Sequence, residues 1–474
     1  MTERQIFDSA APRRPASPSA GGRVPELADL ESWVAASGDH AEHRLGLLRA
    51  AGAPLRRPPV EDVARRHGVA ERLERWRYQF LAARWHATPP GTLTVPPAER
   101  RFLAALARTA DRLEGRSPGP ARWPRAALAD ERDPSGRVAA AAAALDSAVP
   151  VARLEREAAA ATRAAHLAPD SSHRRAVRLY APIYLSNECV NDCPYCGFGF
   201  SRKIARRRLS MGEIEEQASV LRSRGFRHVV LVAGEFPARV DETFLTRAIR
   251  CLVSSGMHPA IEVAPQSTRT YAVLAAAGAT GVTLYMETYD ESNYARHHRR
   301  GPKAAYDWRL EGIERAAEAG MQHLGLGVLL GLSDPRDDLL ALVRHAAYLL
   351  ARFPDRELAF SLPRIHDAPA GFSIEFPVSD EFLIRAYAAL RLAFPQAGLV
   401  LSTRESVALR NRLVPVCITQ MSAGSSTRPG GYGPDTTPAG EQFATGDQRS
   451  PEEISRWLDR AGLRPAWEWD RRTA

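Results

Sequence analysis

The chain has 474 residues, of which 45% are hydrophobic and 25% charged, so it can bury a large core in one to three domains. No apolar run reaches the roughly 18 residues of a membrane span, and the N-terminus is polar without a signal-like segment, so we expect a cytoplasmic protein. The net charge of +9 comes mostly from arginines scattered along the chain, a pattern that favours a solvated surface over a nucleic-acid site.

The first third of the chain predicts no strand. Residues 1–24 are rich in Pro, Ser, Gly and Arg, which predicts disorder. Residues 25–170 carry apolar residues at helical spacing, broken by Pro and Gly pairs. We therefore expect a helical extension, whose role the sequence does not reveal.

From residue 176 onward, short β-rich runs alternate with helical runs. The predicted strands are 177–186, 228–235, 259–265, 281–289, 323–332, 357–365, 398–405 and 416–425. The predicted helices between them are 210–225, 240–256, 268–278, 306–320, 335–353 and 379–394. This order predicts an α/β fold, a (β/α)8 TIM-type barrel over 171–425, with a doubly wound open sheet as the alternative. Residues 426–474 would then form a C-terminal segment that closes the barrel.

Charged and hydroxyl side chains follow several of the predicted strands. The second strand ends in Gly234 and Glu235, and the fourth in Glu287 and Tyr289. The sixth ends in Arg364, the seventh in Arg404 and Glu405, and the eighth in a run that begins with Ser422. In barrels of this kind, chemistry collects at the C-terminal ends of the strands, so these residues are candidates for a site.

The loop after the first strand, "NECVNDCPYCGF", holds Cys189, Cys193 and Cys196, three of the five cysteines in the chain. Disulfides are unlikely in a reducing compartment, and a structural zinc site usually takes a fourth ligand. Cys251 and Cys417 stand alone in apolar surroundings and read as small buried hydrophobes. Iron–sulfur clusters bind through thiolates, and a four-iron cluster on three cysteines leaves one iron open to a small molecule.

The C-x3-C-x2-C spacing, with the aromatic Tyr195 before the last cysteine, resembles the signature of the radical S-adenosylmethionine (SAM) enzymes. The resemblance implies that Cys189, Cys193 and Cys196 hold a [4Fe-4S] cluster. It also implies that the open iron binds the amino and carboxylate groups of SAM, which an electron from the cluster cleaves to methionine and a 5'-deoxyadenosyl radical.

A closer resemblance extends from about residue 174 to 470. The segments "LYAPIYLSNECVNDCPYCGF", "ETYDESNYARHHRRGPKAAYDWRLE", "GLGVLLGLSD", "LSTRES" and "QMSAGSSTRPGGY" resemble 2-iminoacetate synthase, the tyrosine lyase of thiamine thiazole biosynthesis. The C-terminal stretch "EQFATGDQRSPEEISRWLDRAGLRPAWEWD" is its most family-specific part. The resemblance implies cleavage of the Cα–Cβ bond of tyrosine to 2-iminoacetate (dehydroglycine) and p-cresol. It also implies a flavodoxin or ferredoxin as reductant and thiazole synthase as a partner.

The resemblance assigns roles to individual residues. Arg404 is expected to bind the substrate carboxylate, because a guanidinium fork matches a carboxylate bidentately, and Ser422 is expected to help hold the amino acid. The alternative for Arg404 is a salt bridge at the rim with Glu405 or Glu441. SAM contacts are expected from Tyr195, Gly234, Glu235, Glu287, Tyr289 and Arg309. The pair His297–His298 lies among arginines and reads as surface.

Two departures from the family's pattern put the substrate in doubt: Met286 stands where glutamine is expected, and His366 where arginine is expected. One alternative is therefore a radical SAM lyase that acts on tryptophan or another aromatic amino acid in natural-product biosynthesis. A related hydrogenase maturase carries a second cluster on C-terminal cysteines, and this chain has no cysteine after Cys417. An alternative of another class is a non-catalytic scaffold with a vestigial barrel.

Overall fold

A computed structural model describes residues 135–166, 174–366, 369, 371–434 and 437–467. The predicted disordered residues 1–24 and most of the predicted extension over 25–170 lie outside this range. Within it, none of the helices combines the length and the apolar character that crossing a bilayer requires.

Eight parallel strands form a closed barrel, so the predicted fold is confirmed and the open sheet is excluded. Each strand pairs with the next along the chain, and β8 returns to pair with β1. The strands are β1 Ala176–Ser186, β2 His228–Ala233, β3 His258–Glu262, β4 Gly281–Glu287, β5 His323–Val328, β6 Glu357–Ser361, β7 Gly398–Leu401 and β8 Gln420–Ser422. A ninth strand that the sequence pattern did not predict, β9 Arg464–Ala466, pairs with the beginning of β1.

Helices surround the barrel, and most of them connect one strand to the next. They are α1 Arg137–Ala144, α2 Val151–His166, α3 Met211–Ser223, α4 Glu242–Ser254, α5 Thr268–Ala276, α6 Glu291–His297, α7 Tyr306–Leu310, α8 Gly312–Glu318, α9 Pro335–Arg352, α10 Asp380–Ala393, α11 Val407–Val416 and α12 Pro451–Arg460. The sequence pattern missed α6, α11 and α12. Of these, α11 contains Pro415, a residue that weakens any helix prediction.

Short polar side chains fix where several of these helices begin. Ser210 accepts a hydrogen bond from the backbone N–H of Glu213, whose carboxylate accepts one from the backbone of Ser210, and together they start α3. Ser450 and Glu453 repeat this capping box at the start of α12. Such caps satisfy backbone donors that have no partner inside the helix. The residues at these positions therefore determine locally where the helices α3 and α12 begin.

Successive side chains of each strand point alternately to the core outside the barrel and to the lumen inside it. In β1, Leu179, Ala181 and Ile183 are at most 1% exposed and pack beneath the helices. Tyr180 and Tyr184 alternate with them and line the cavity inside the barrel. Because successive side chains of a strand point to opposite faces, each strand supplies both layers, and the inward set forms the site.

The described end of the predicted extension packs on the barrel. Helices α1 and α2 lie against α10. The Arg385 guanidinium donates to the backbone carbonyls of Asp146 and Val149 at 3.0 and 2.7 Å, and the Arg391 guanidinium lies 2.8 Å from a ring nitrogen of His166. Residues 137–166 are thus part of the barrel's outer layer, while the proposed division of the chain into domains stays a prediction.

Candidate active site

A cavity opens where the barrel strands end, with about 1370 Å³ of empty space including the part open to solvent. It brings together ten of the eleven predicted site residues: Cys189, Cys193, Tyr195, Cys196, Gly234, Glu235, Glu287, Arg309, Arg404 and Ser422. These residues come from six different strand ends or connections, as expected for a barrel site. Tyr289 is the exception.

The three clustered cysteines lie in the loop after β1, which folds back on itself. The backbone N–H of Cys196 donates to the carbonyl of Cys193 at 3.1 Å, and the Cys196 sulfur accepts from the backbone N–H of Phe198 at 3.4 Å. The backbone N–H of Gly197 donates to the Gln442 carbonyl at 3.0 Å. The C-terminal segment therefore holds the cysteine loop, and Gln442 itself lines the cavity.

The donor set fits an iron–sulfur cluster. Burial raises the pKa of Cys189 to about 11, with a further contribution from the Cys196 thiol, and burial also raises the pKa of Cys193 and of Cys196. Buried thiols with raised pKa values ionise only when a cation compensates the charge. Within the described part of the chain, no three His, Cys, Asp or Glu side chains are grouped to hold a single metal ion. Each thiolate of a cluster binds a different iron, so the three thiols need not converge on one point.

The Gly234–Glu235 pair touches the cysteine loop directly. A Cβ atom on Gly234 would lie 2.3 Å from the carbonyl oxygen of Glu188, so only glycine permits this approach. The Glu235 carboxylate accepts a hydrogen bond from the Asn191 amide at 2.6 Å. Glu235 is thus a buried partner of the loop rather than a helix cap, and it lines the cavity, where we propose that it receives the SAM ammonium.

Glu287 has a strained backbone conformation, and two cations bind its carboxylate. Its φ of 73° makes it the one non-glycine residue with positive φ in the described ranges, at a register shift that ends β4. Its carboxylate accepts from Lys303 at 2.6 Å and from Arg309 at 3.3 Å. Burial raises the pKa of Glu287, but Lys303 and Arg309 outweigh it, so the net pKa lies below the usual value and the carboxylate stays charged.

Tyr195 packs beneath the mouth of the cavity against a histidine. Its hydroxyl lies 2.7 Å from a ring nitrogen of His298, and its ring meets the Phe372 ring edge-on. His297 and His298 are 7% and 1% exposed, so the expectation that they lie on the surface was wrong. Burial lowers the pKa of His298 well below its usual value, which keeps the ring neutral as a partner for Tyr195.

The structure does not bring Tyr289 into the cavity. Its hydroxyl lies 2.9 Å from the Nδ1 atom of buried His345, and its carbonyl accepts from the Tyr306 hydroxyl at 2.8 Å. The strand has already ended at Glu287, and the chain then turns away from the lumen. Its position at the end of the predicted fourth strand and the family resemblance suggested a SAM contact, but the strand ends at Glu287 and the Tyr289 side chain lies in the surrounding core.

Arg404 presents a buried cation to the lumen. Its guanidinium lies 3.8 Å from the centre of the Phe443 ring, and its Nε atom is buried without a hydrogen-bond partner in the described residues. Burial lowers the pKa of Arg404, and the Cys196 thiol is among the groups close enough to raise it. The alternative of a rim salt bridge is not observed: among the described residues no salt bridge joins Arg404 to Glu405 or Glu441, and the Glu405 carboxylate is bound by Arg364 at 2.7 Å.

Ser422 ends β8 next to the β7–α11 loop that carries Arg404. Its hydroxyl accepts from the backbone N–H of Thr403 at 2.8 Å and hydrogen-bonds with Tyr180 on β1. The C-terminal segment supports this pair of loops, since Asp447 donates its backbone N–H to the Thr403 carbonyl at 3.1 Å. The C-terminal residues therefore position the strand ends that we propose for substrate binding.

Two family models match the chain. The Radical SAM superfamily model covers residues 183–346, and the Biotin and Thiamin Synthesis associated domain covers residues 361–464. The 2-iminoacetate synthase of Escherichia coli K12 is 39% identical over 296 residues, which are 62% of this chain and 78% of that protein. The chain belongs to the 2-iminoacetate synthase family of radical SAM enzymes. The Salmonella typhimurium 2-iminoacetate synthase is 38% identical over the same length.

Solved structures of radical SAM relatives share the fold. The FeFe-hydrogenase maturase HydG from Carboxydothermus hydrogenoformans superposes with a TM-score of 0.64 at 29% identity, over 78% of this chain and 84% of that one. As a radical SAM enzyme, the chain uses a [4Fe-4S] cluster and SAM and is a carbon–carbon lyase with a small-molecule substrate. The expectations for family, enzyme class and cofactors are confirmed.

Sequence reasoning missed several residues of this radical SAM site. Lys303 binds the Glu287 carboxylate, and Asn191 binds the Glu235 carboxylate. Glu262 lines the lumen at the end of β3. Lys303 follows no strand, so its position gave no signal. Glu262 is the last residue of its strand and is a partly buried carboxyl in the apolar run "PAIEVAP", which could have marked it.

Proposed function

We propose that this protein cleaves the Cα–Cβ bond of L-tyrosine to 2-iminoacetate and p-cresol, the reaction that supplies the thiazole of thiamine. The main support for this proposal is the position of Arg404. Its buried guanidinium, with an unpartnered Nε atom, lies in the same cavity as the three cysteines. A carboxylate is the ligand that such a fork binds best. The 39% and 38% identical relatives are 2-iminoacetate synthases, which supports 2-iminoacetate as the product.

With the cluster and SAM bound, the site would supply the radical chemistry that takes a hydrogen atom from the substrate. The protein's residues determine which hydrogen atom that is. Arg404 and Ser422 lie at the ends of adjacent strands, so they would fix the carboxylate end of the amino acid at one wall of the lumen. Holding this end in one orientation presents the amino group, rather than the β-carbon, to the radical.

The two departures from the family pattern lie outside the cavity. Met286 is 4% exposed and belongs to the core between the strands and the helices. His366 lies at the rim, 3.0 Å from the Glu405 carboxylate. Neither residue lines the lumen. Their identities therefore give no reason to prefer tryptophan, and tyrosine remains the proposed substrate.

We also propose that an acidic one-electron carrier, a flavodoxin or a ferredoxin, docks beside the cysteine loop. Phe200, four residues after Cys196, is 44% exposed. The Arg300 guanidinium lies 3.5 Å from the centre of its ring. Lys203, three residues after Phe200, and Arg299, next to Arg300, are both exposed. An exposed aromatic with cations around it suits an acidic partner. Thiazole synthase is a further proposed partner, on the resemblance alone.

An anaerobic product assay tests the proposed reaction. The reconstituted enzyme is incubated with SAM, dithionite and either tyrosine or tryptophan, and p-cresol, 2-iminoacetate (as glyoxylate) and indole products are measured. Arg404→Ala should reduce p-cresol at least 100-fold while part of the SAM cleavage persists, and Arg412→Ala, at an exposed salt bridge with Glu155, is the matched control. Indole products from tryptophan alone would favour the other lyase, and a colourless protein after reconstitution would favour the scaffold.

A further inference from the structure

Glu262 is a carboxyl inside the barrel that has no role so far in the proposed reaction. It ends β3 and lies in one layer with two other inward side chains, since β1 and β2 pair Tyr184 with Val232 and β2 and β3 pair Val232 with Glu262. Its partial exposure is toward the cavity, which it lines. No hydrogen bond or salt bridge joins its carboxyl to another residue within the described ranges.

The other two carboxyl groups that line the cavity are both engaged. Glu235 accepts from Asn191, and Glu287 accepts from Lys303 and Arg309. Burial raises the pKa of Glu262 to about 8, with a further contribution from Glu287, despite nearby cations that lower it. A buried polar group without a partner destabilises a fold, so such a group inside a cavity is typical of a ligand contact.

The position of Glu262 relative to Arg404 defines what that ligand must look like. The closed order of eight strands places β3 and β7 four strands apart, on opposite walls of the barrel. Glu262 ends β3 and Arg404 follows β7, and no salt bridge within 4 Å joins them. A ligand that binds both needs a carboxylate at one end and a hydrogen-bond donor at the other.

We propose that Glu262 accepts a hydrogen bond from the 4-hydroxyl group of the substrate tyrosine and is the residue that selects tyrosine over phenylalanine. This rests on the proposed tyrosine lyase function and on Arg404 as the carboxylate site. The α-amino group cannot be the partner across the lumen, because it shares Cα with the carboxylate. The hydroxyl lies at the far end of the ring, and Tyr180 and Tyr285 line the lumen between the two walls.

Amino-acid binding without turnover tests the inference. Tyrosine and phenylalanine are titrated by equilibrium dialysis into the reconstituted enzyme with SAM but no reductant, for the wild type, Glu262→Met, Glu262→Gln and Thr283→Val. We expect the wild type to bind tyrosine about 100-fold more tightly than phenylalanine, because a site built to bond a hydroxyl rejects the analogue without it. Glu262→Met should bind the two alike, at the affinity of the wild type for phenylalanine.

The conservative variant and the matched control complete the design. Glu262→Gln keeps an acceptor oxygen and should recover part of the preference for tyrosine. Thr283→Val removes a lumen hydroxyl from the neighbouring strand β4 and should keep the full preference for tyrosine. The midpoint of thermal unfolding for Glu262→Met, expected to equal or exceed that of the wild type, shows whether the variant folds.

Three results would overturn the inference. The first is no preference for tyrosine in the wild type, and the second is a Glu262→Met variant that keeps the preference of the wild type. Equal weakening of tyrosine and phenylalanine by Glu262→Met would mean that the carboxyl holds the ammonium group instead. Failure of the proposed function is distinguishable, because the wild type would then form no p-cresol in the assay above, whichever amino acid it prefers.

Discussion

The ion pair between Arg410 and Asp447 offers the sharpest test of how the C-terminal segment supports the site. Both side chains are 0% exposed. Arg410 also donates to the Ser422 carbonyl, and Asp447 also accepts from Arg449 at 2.6 Å. The arrangement is asymmetric: Asp447 has a second cation, whereas Arg410 has no second carboxylate among its described contacts.

Asp447→Asn should therefore cost more stability than Arg410→Met. The first change leaves a buried guanidinium without its counterion, for which about 3–5 kcal/mol is expected. The second leaves Asp447 paired with Arg449 and removes mainly the hydrogen bonds to Asp447 and Ser422, about 1–3 kcal/mol. The double variant should be more stable than Asp447→Asn alone, because it removes the orphaned charge.

Urea unfolding of the three variants at pH 7 measures these differences. Burial raises the pKa of Asp447, but Arg449 and Arg410 outweigh it, so its net pKa lies below the ordinary 3.8. The contribution of the pair is thus fully present above pH 3.8 and is lost as the pH falls through the lowered pKa. A double variant that is less stable than Asp447→Asn would refute the reasoning, since the orphaned charge would then not be the source of the loss.

Three further predictions follow from the same geometry. Gly234→Ala should lower the iron bound per chain on reconstitution, because its Cβ would lie 2.3 Å from a loop carbonyl, whereas Gly212→Ala has open space and should bind iron normally; equal iron contents would contradict this. Because the pKa of Glu262 is raised from 4.5 to about 8, the native apo-protein loses stability as the pH rises between these values, by at most about 1.4 kcal/mol per pH unit. Glu262→Met should lack this loss, so its advantage over the wild type in urea midpoint should grow from pH 5 to pH 8; a constant difference would argue against it. Phe200→Ala with Lys203→Glu should slow turnover driven by flavodoxin about tenfold and leave dithionite-driven turnover unchanged, with Arg156→Glu on α2 as the charge-matched control; equal losses with both reductants would rule out a docking role.

Features that are local in sequence could be predicted from it. The eight barrel strands were recognised because each is a short apolar run bounded by turn residues, although their ends were placed up to four residues too late. The cysteine loop was recognised because its three thiols lie within eight residues, so their spacing is a property of one segment. Arg404 and Ser422 became candidates because each lies near a predicted strand end, and every parallel strand of a barrel ends at the same rim. The family resemblance then suggested their roles.

Features that depend on strand closure or on distant partners could not be predicted. His298 looks exposed among arginines, and only the folded loop places it under Tyr195. Lys303 reaches Glu287 through a turn that no periodic pattern marks. Strand β9 is three residues long and forms only because the C-terminal segment returns to the start of β1.

The sequence by itself determined the cysteine loop and the alternation of strands and helices, because each depends on residues that are neighbours in the chain. These two features were enough to recognise the family. Only the tertiary structure decided which carboxyl faces which cation across the lumen. Glu262 and Arg404 are far apart in the chain and belong to strands that never pair. They lie on opposite walls because closure of the sheet arranges the eight strand ends around one cavity. In our proposal, the separation of these two side chains determines the length and polarity of the ligand that fits.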